Sequence, residues 1–376
     1  MNPITWLLAL LQRLWRFLFA SKRDENLYSL DHAILHIQVP PPSLWMNMGY
    51  WKTETTLSGA SQALLTQVLI AARLLSPDGH PVAHPPRRRL HLLDVGIGCG
   101  DQTLSLIQSQ RLVDVDVEDA AGTVAAAPQH QHQHQHQPLF DSYTGLTIAP
   151  TQAATARARV AALPSRSSHS HSHSHSRTPA CKTQIFCADA ADPSSWPVEI
   201  HASLRSRTKG QDENENETEN EDEDEENENE NETWLLALDT LYHFRPSRRA
   251  LLQHAARELR ASLMAFDLLL SETASWWQRL VLRAICWVTG TPYANFVTRA
   301  EYEALLVGGG GYALADVEVR DVSGEVFAGL AGFLARRERE LRPFGIGVGK
   351  FRGARVVFDW WARSGVVRGV VVVARR

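Results

Sequence analysis

L-H-L-L-D-V-G-I-G-C-G, residues Leu90 to Gly100, runs four largely apolar residues into an acid and then three glycines at alternate positions. That is the pattern of a buried parallel strand ending in a tight turn with a helix behind it. Gly96, Gly98 and Gly100 allow a close backbone approach and positive φ. Asp94 falls at the carboxyl end of the strand, the edge at which open α/β sheets receive their ligands.

A strand-loop-helix of this kind suits a nucleotide, and the spacing separates two classes. A dinucleotide loop reads G-x-G-x-x-G, with a pyrophosphate on the helix N-terminus. Here the sixth position is Asp101, a negative charge where those phosphates would sit, which speaks against a nucleotide-dependent oxidoreductase. The form D-x-G-x-G-x-G is similar to motif I of the class I S-adenosylmethionine-dependent methyltransferases. Their ligand carries a sulfonium, an amino group and ribose hydroxyls, and so suits an acid-rich loop.

Downstream, G-L-T-I-A-P-T-Q, Gly145 to Gln152, follows a second strand and resembles the G-[IVL]-T-L-S-x-x-Q of the sterol, tocopherol, cyclopropane-fatty-acid and coclaurine-type methyltransferases. The resemblance implies that Thr147 and Gln152 hold the cofactor ribose, with Thr147 replacing the acid that many class I enzymes carry there. A strand-to-helix cap would use the same residues. Thr183 to Asp192 reads as a third strand, and the resemblance puts Asp189 and Ala190 at the adenine, with Asp192 the alternative if the register slips. Trp234 to Arg245 reads as a fourth strand and loop, where relatives end E-H-[MF]. Asp239 and His243 match the acid and the His, while Tyr242 replaces the Glu, so substrate and mechanism do not carry over from the sterol enzymes. An imidazole at such a mouth has a pKa suited to a general base, or it is a satisfied loop histidine.

Upstream, L-W-M-N-M-G-Y-W, Leu44 to Trp51, is an aromatic cluster that composition alone would assign to the core. In the resembling families a similar N-G-Y-W or H-x-G-Y segment folds over cofactor and substrate. That implies Asn47, Gly49, Tyr50 and Trp51 at the site, Tyr50 with His243 toward the acceptor and Trp51 at the cofactor. Together with Asp94, Gly96, Gly98, Gly100 and Asp239 these complete the expected set.

The fifth strand is predicted at Ser262 to Leu270, flanked by helices at Ser247 to Arg260 and Ser275 to Val288, the latter basic and amphipathic. Val317 to Val322 and Gly365 to Ala374 supply two final strands, the last an antiparallel edge hairpin by resemblance. The alternation predicts an α/β fold, a doubly wound Rossmann-like seven-stranded sheet with a helical N-terminal extension and low-complexity insertions.

Those insertions are the Gln/His alternation around 130–137, the Ser/His alternation at 167–176 and an Asn/Glu run at 211–232, all without apolar residues to offset ordering entropy. Imidazoles at i, i+2 can converge on a metal; here they read as repetitive loops, and no metal is expected. Of 42 acidic residues 14 lie in 212–232, leaving 28 against 38 Lys plus Arg, so the rest of the chain is basic although its net charge is -4. The arginines are scattered and nucleic acid is not an expected partner. Four cysteines without a C-x-x-C pair imply neither a disulfide framework nor structural zinc.

Ile4 to Ala20 is apolar but carries Arg13 and Arg16 on one face, with Lys22 and Arg23 after it, the composition of a helix lying in a membrane interface. Packing on the protein's own body is the alternative. The chain thus divides into an amphipathic or membrane-associating segment at 1–23, a helical cap at 24–89 and an S-adenosylmethionine-binding domain at 90–376 with unstructured insertions near 117–138, 164–180 and 205–232. The function implied is an S-adenosylmethionine-dependent methyltransferase acting on a small lipophilic acceptor, cytoplasmic or peripheral on an intracellular membrane. A non-catalytic, membrane-associated binding module on the same fold is the alternative.

Overall fold

The computed structural model describes residues 38, 41–84, 89–115, 133–163, 181–205 and 231–376. The predicted segment at 1–23, the Ser/His alternation and the acidic run up to residue 230 lie outside the described residues.

The described elements are α1 (Leu57–Ala71), β1 (Ala83–His84), β2 (Arg89–Val95), α2 (Asp101–Gln108), β3 (Gln110–Val115), β4 (Gln133–Pro138), β5 (Ser142–Thr147), α3 (Pro150–Ala161), β6 (Lys182–Cys187), α4 (Val198–Arg205), β7 (Asn231–Leu238), α5 (Arg249–Arg257), β8 (Ser262–Leu270), α6 (Trp276–Thr289), α7 (Arg299–Ala304), β9 (Val317–Asp321), α8 (Ser323–Leu341), α9 (Phe351–Ser364) and β10 (Val367–Ala374). Seven strands form one sheet in the order β6-β5-β2-β7-β8-β10-β9. β6, β5, β2, β7 and β8 run parallel, and β10 is antiparallel to both β8 and β9. This is the doubly wound α/β sheet predicted from the sequence. The order steps outward from β2 to β6 and then returns to β7 on the other side of β2. That reversal opens a crevice at the carboxyl ends of β2 and β7.

Helices cover both faces, so the strands are apolar at successive residues. Trp234, Leu236 and Leu238 of β7 point into one core with Leu64, Leu282 and Phe327, while Leu235 and Ala237 point into the other with Ile200, Leu251 and Tyr302. All nine residues of β8 are buried.

The expected antiparallel pair of final strands forms one edge of the sheet. Its outer member is β9, and β10 lies inside, paired on both sides; V-V-V-V, Val370 to Val373, is too apolar for a solvated edge. Residues 133–138, expected in an unstructured insertion, form β4 against β3, and β1 completes a separate three-stranded sheet. A period-2 Gln/His alternation has strand geometry available, and backbone pairing asks nothing of its side chains. The described part of the 24–89 cap contains one helix, α1, preceded by an irregular segment from residue 41 to its N-cap at Thr56.

Candidate cofactor and substrate cavity

At the crevice lies a cavity of about 490 Å³, within the range of small-molecule sites. Four loops at the carboxyl ends of parallel strands build it. β2 supplies Gly96, Ile97 and Gly98; β5 supplies Thr147 and Ile148, with Gln152 from the helix behind; β6 supplies Asp189 and Ala190; β7 supplies Asp239, Thr240, Tyr242 and His243. Leu44 to Asn47 roofs it.

The turn after β2 needs its glycines for two separate approaches. Gly96 has φ +78°, and a Cβ there would stand 2.7 Å from Thr240 Cβ, so the β2 and β7 loops can touch only without a side chain at 96. Gly100 has φ +92°, and its Cβ would meet Ala156 Cβ at 2.9 Å. Gly100 caps α2 where it packs against α3 and does not line the cavity.

Asp94 is also off the cavity wall. Its side chain is fully buried, accepting from the Tyr143 hydroxyl at 2.7 Å and from Gln102 Nε2 at 2.6 Å. Tyr143 hydrogen-bonds onward to Thr103 at 2.7 Å. Burial outweighs both donors and pushes the carboxyl up to about 7. The expectation that Asp94 itself grips a ligand is corrected to a place behind the glycine loop, from which it fixes β2, α2 and β5 to one another.

Thr147 and Gln152 do meet. The Thr147 hydroxyl donates to Gln152 Oε1 at 2.8 Å, and Gln152 Nε2 reaches Met46 Sδ in the roof at 3.5 Å. Asp189 Oδ1 accepts the Ala191 N–H at 2.8 Å, an Asx turn that fixes the β6 loop, and Trp196 Nε1 donates to the Asp189 carbonyl at 2.8 Å.

Asp239 joins the wall to the roof. It holds φ +62°, a left-handed conformation that Asp tolerates better than most residues. Its carboxylate accepts the Met48 N–H at 2.7 Å and the Tyr242 hydroxyl at 2.9 Å, and burial pushes the group up to about 7. Tyr242 therefore donates to the wall's acid. Beside it the His243 ring lies 4.1 Å from the Tyr242 ring at 41°, and shielding at the mouth pulls the imidazole pKa below its usual value.

The roof is pinned at both ends by acids of the wall. Leu44 N–H donates to Asp101 Oδ2 at 3.0 Å, as Met48 does to Asp239. Arg159 holds Asp101 with two bonds of 2.5 and 2.9 Å and also donates to the carbonyls of Cys99 and Pro42. The Asp101 charge is thus balanced, and the electrostatic case against phosphates at this helix is weaker than the sequence implied. Tyr50 and Trp51, expected at the site, do not line the cavity. Tyr50 N–H is held by the Ala60 carbonyl and Trp51 N–H by the Glu325 carbonyl, and the Trp51 indole turns back to donate to Met48 O at 2.8 Å and packs 5.0 Å from Phe333. Asn47 does line it, while Gly49 does not.

Sequence reasoning missed what stands behind the His243 loop. Buried Asn295 donates through Nδ2 to the carbonyls of Tyr242 at 3.1 Å and Phe244 at 2.8 Å, the two residues flanking His243. Arg248 in turn bonds the Asn295 carbonyl and Asp267, and Tyr302 donates to Asp267 at 3.0 Å. No spacing in the sequence marks this network, since its members lie far apart along the chain. Among the described residues no three His, Cys, Asp or Glu side chains come together to hold a metal, and no helix is long and apolar enough to cross a membrane.

No protein-family model matches the chain, and no curated protein matches it. Solved structures similar to it include the cyclopropane synthase MmaA2 from Mycobacterium tuberculosis, at 13% identity over 88% of this chain and 90% of that one, with a TM-score of 0.49. A sarcosine dimethylglycine methyltransferase from Galdieria sulphuraria is similar at 13% over 88% and 92%, TM-score 0.47. A geranyl diphosphate methyltransferase in complex with GPP and sinefungin is similar at 14% over 89% and 90%, TM-score 0.45. These are likenesses in the path of the chain. The Rossmann-like α/β sheet itself is established by the order and direction of the seven strands.

Proposed function

We propose that the chain is an S-adenosylmethionine-dependent methyltransferase that acts on a small lipophilic acceptor, peripheral to a membrane. The observation that carries this reading is the convergence of four strand-end loops on one cavity, with Gly98, Thr147, Gln152, Asp189 and Asp239 all on its wall. The donor set fits a ligand of amines and hydroxyls. Gly98 offers backbone without a Cβ, the Asp189 and Asp239 carboxylates have lone pairs beyond those their present donors use, and Thr147 and Gln152 offer a neutral polar pair. Thr147 and Gln152 would hold the ribose, Asp189 and Ala190 the adenine edge, and Asp239 the amino group. When bound, the cofactor supplies an electrophilic methyl group.

The chain's own part is to orient and to exclude water, because an in-line displacement is accelerated chiefly by holding the partners in near-attack geometry. Leu44 to Asn47, tied to Asp101 and Asp239 through Leu44 and Met48, covers one side of the cavity and limits the approach of water. His243, with its pKa lowered, is neutral at pH 7 and accepts a proton from the acceptor at an imidazole nitrogen. Ile97, Leu146, Leu238 and Phe244 give the wall an apolar share that suits a greasy acceptor.

Calorimetric titration of the full chain with S-adenosylmethionine and S-adenosylhomocysteine tests this. The expected outcome is micromolar binding that Thr147→Ala and Asp189→Ala each weaken by roughly tenfold, the size of one lost hydrogen bond to a charged or polar group. A folded wild-type protein that binds neither compound overturns the reading. Binding without formation of S-adenosylhomocysteine in the presence of lipophilic extracts favours the non-catalytic module instead.

A further inference from the structure

Helix α6 (Trp276–Thr289) presents an apolar stripe to solvent that the cavity does not use. Trp276, Leu280 and Trp287 recur at i, i+4 and i+11 on one side of the helix, with Arg283 at i+7 in the same line. Trp276 is 62% exposed and Trp287 85% exposed, and Leu280 and Val288 are exposed beside them. The helix is docked through its other side by Leu282 and Cys286, and its N-terminus is fixed by a capping box between Ser275 and Gln278. It is therefore a formed helix with a deliberate outer face rather than a frayed segment. Large exposed aromatics in one contiguous stripe mark an interaction surface.

The chemistry of the stripe selects its occupant. α6 carries no acid; Arg279 donates to the Ala274 carbonyl and is near Glu301, while Arg283, exposed beside the Tyr293 ring, leaves the stripe cationic, so the complementary surface is both apolar and anionic. Within this chain the apolar Ile4 to Ala20 segment is itself cationic through Arg13 and Arg16, and the anionic 212–232 run has no apolar residue. A second copy of α6 would set like charges together. A bilayer with anionic headgroups meets both requirements, and tryptophan beside arginine is the composition of a helix lying in that interface. The C-cap of α6 also adjoins the cavity, because Arg245 on the cavity wall donates to the Gly290 carbonyl.

We infer that α6 docks the protein on an anionic lipid surface through Trp276, Leu280, Arg283 and Trp287, with the mouth of the cavity facing that surface. The inference concerns how the protein is held and does not depend on the reaction proposed for the cavity.

Vesicle co-sedimentation of the full chain tests it, with phosphatidylcholine vesicles alone and with about 30% phosphatidylserine. The wild-type chain is expected to bind the anionic vesicles. A Trp276→Ser/Leu280→Ser/Trp287→Ser variant is expected to lose at least about tenfold in partitioning, and Arg283→Gln roughly fivefold, on anionic vesicles only. Brominated lipid should quench the fluorescence of the wild-type chain and not that of the triple variant. Circular dichroism and the calorimetric titration above, unchanged in the variants, separate failure of docking from failure of the fold or of the proposed cofactor site. The proposal is overturned if the wild-type chain binds no vesicle. It is equally overturned if Trp6→Ser/Leu10→Ser/Leu14→Ser abolishes binding while the α6 variants retain it, or if the triple variant only converts a dimer to a monomer.

Discussion

The ends of β2 and β7, neighbours at the centre of the sheet, each carry an acid whose pKa is pushed up to about 7 by desolvation, Asp94 fully buried and Asp239 half-buried, and they use it in opposite ways. Asp94 spends its lone pairs inward, on Tyr143 and Gln102, and never reaches the cavity. Asp239 turns outward in a left-handed conformation and holds both a wall residue, Tyr242, and the roof, Met48. A carboxylate at the carboxyl end of a strand is thus no guide by itself to ligand contact. What it accepts from decides whether it is scaffold or site.

The largest expected consequence of the contrast is a pH effect at Asp94. A carboxyl whose folded pKa lies above its unfolded value keeps its proton in the folded state after the unfolded chain has lost it. Its stabilisation is complete below the unfolded pKa near 3.8 and is lost as pH rises through about 7. Wild type should therefore lose about 4 kcal/mol relative to Asp94→Asn between about pH 4 and about pH 8, read from urea denaturation across pH. Parallel curves for the two proteins would show that Asp94 is ionised in the fold.

Next in size is truncation. Asp94→Ala removes the acceptor of the buried Gln102 amide and leaves the Tyr143 hydroxyl with Thr103 alone, and should cost about 3 kcal/mol in urea denaturation, whereas Asp239→Ala, on the cavity wall, should cost about 1 to 2 kcal/mol. The contrast breaks if the order is reversed.

Ligand affinity should reverse that ranking. Asp239→Asn is expected to weaken S-adenosylmethionine binding roughly tenfold, with Asp94→Asn within about twofold of wild type, in calorimetry at pH 7. Equal losses would move Asp94 back into the site. The smallest effect belongs to the other end of the roof. Arg159→Leu should change stability by less than about 1 kcal/mol, the ordinary value of a partly exposed ion pair, yet speed amide exchange at Leu44 by about fivefold. Unchanged exchange there would mean that Asp101 needs no partner to hold the roof.

The legible parts of this molecule were those in which neighbours in sequence are neighbours in structure. Leu90 to Gly100 reads as strand and turn because apolar periodicity and glycine spacing are local, and Ser262 to Leu270 reads as a strand for the same reason. Gly98, Thr147, Gln152, Asp189, Ala190, Asp239 and His243 sit on one wall because each follows a parallel strand. The roof's fastenings join residues 57 and 191 positions apart, and nothing local records such a pairing. Tyr50 and Trp51 misled because an aromatic pair beside a site has the same composition as an aromatic pair beside a core, and only the Glu325 carbonyl and Phe333 decide between them. Asp101 misled in the opposite direction, since its charge is visible in the sequence and its Arg159 counter-charge is not.

The two glycine contacts also constrain how this chain can drift over generations. Gly96 meets Thr240, and Gly100 meets Ala156, with no room for a methyl group between either pair. Shrinking 240 or 156 would not be enough, because both glycines also hold a positive φ, +78° and +92°, and a Cβ at 100 would still stand 3.0 Å from the Ala156 Cα. Contact and conformation together therefore hold both positions as glycine through descent, and a library randomising 100 and 156 together should return glycine at 100 whatever small residue stands at 156.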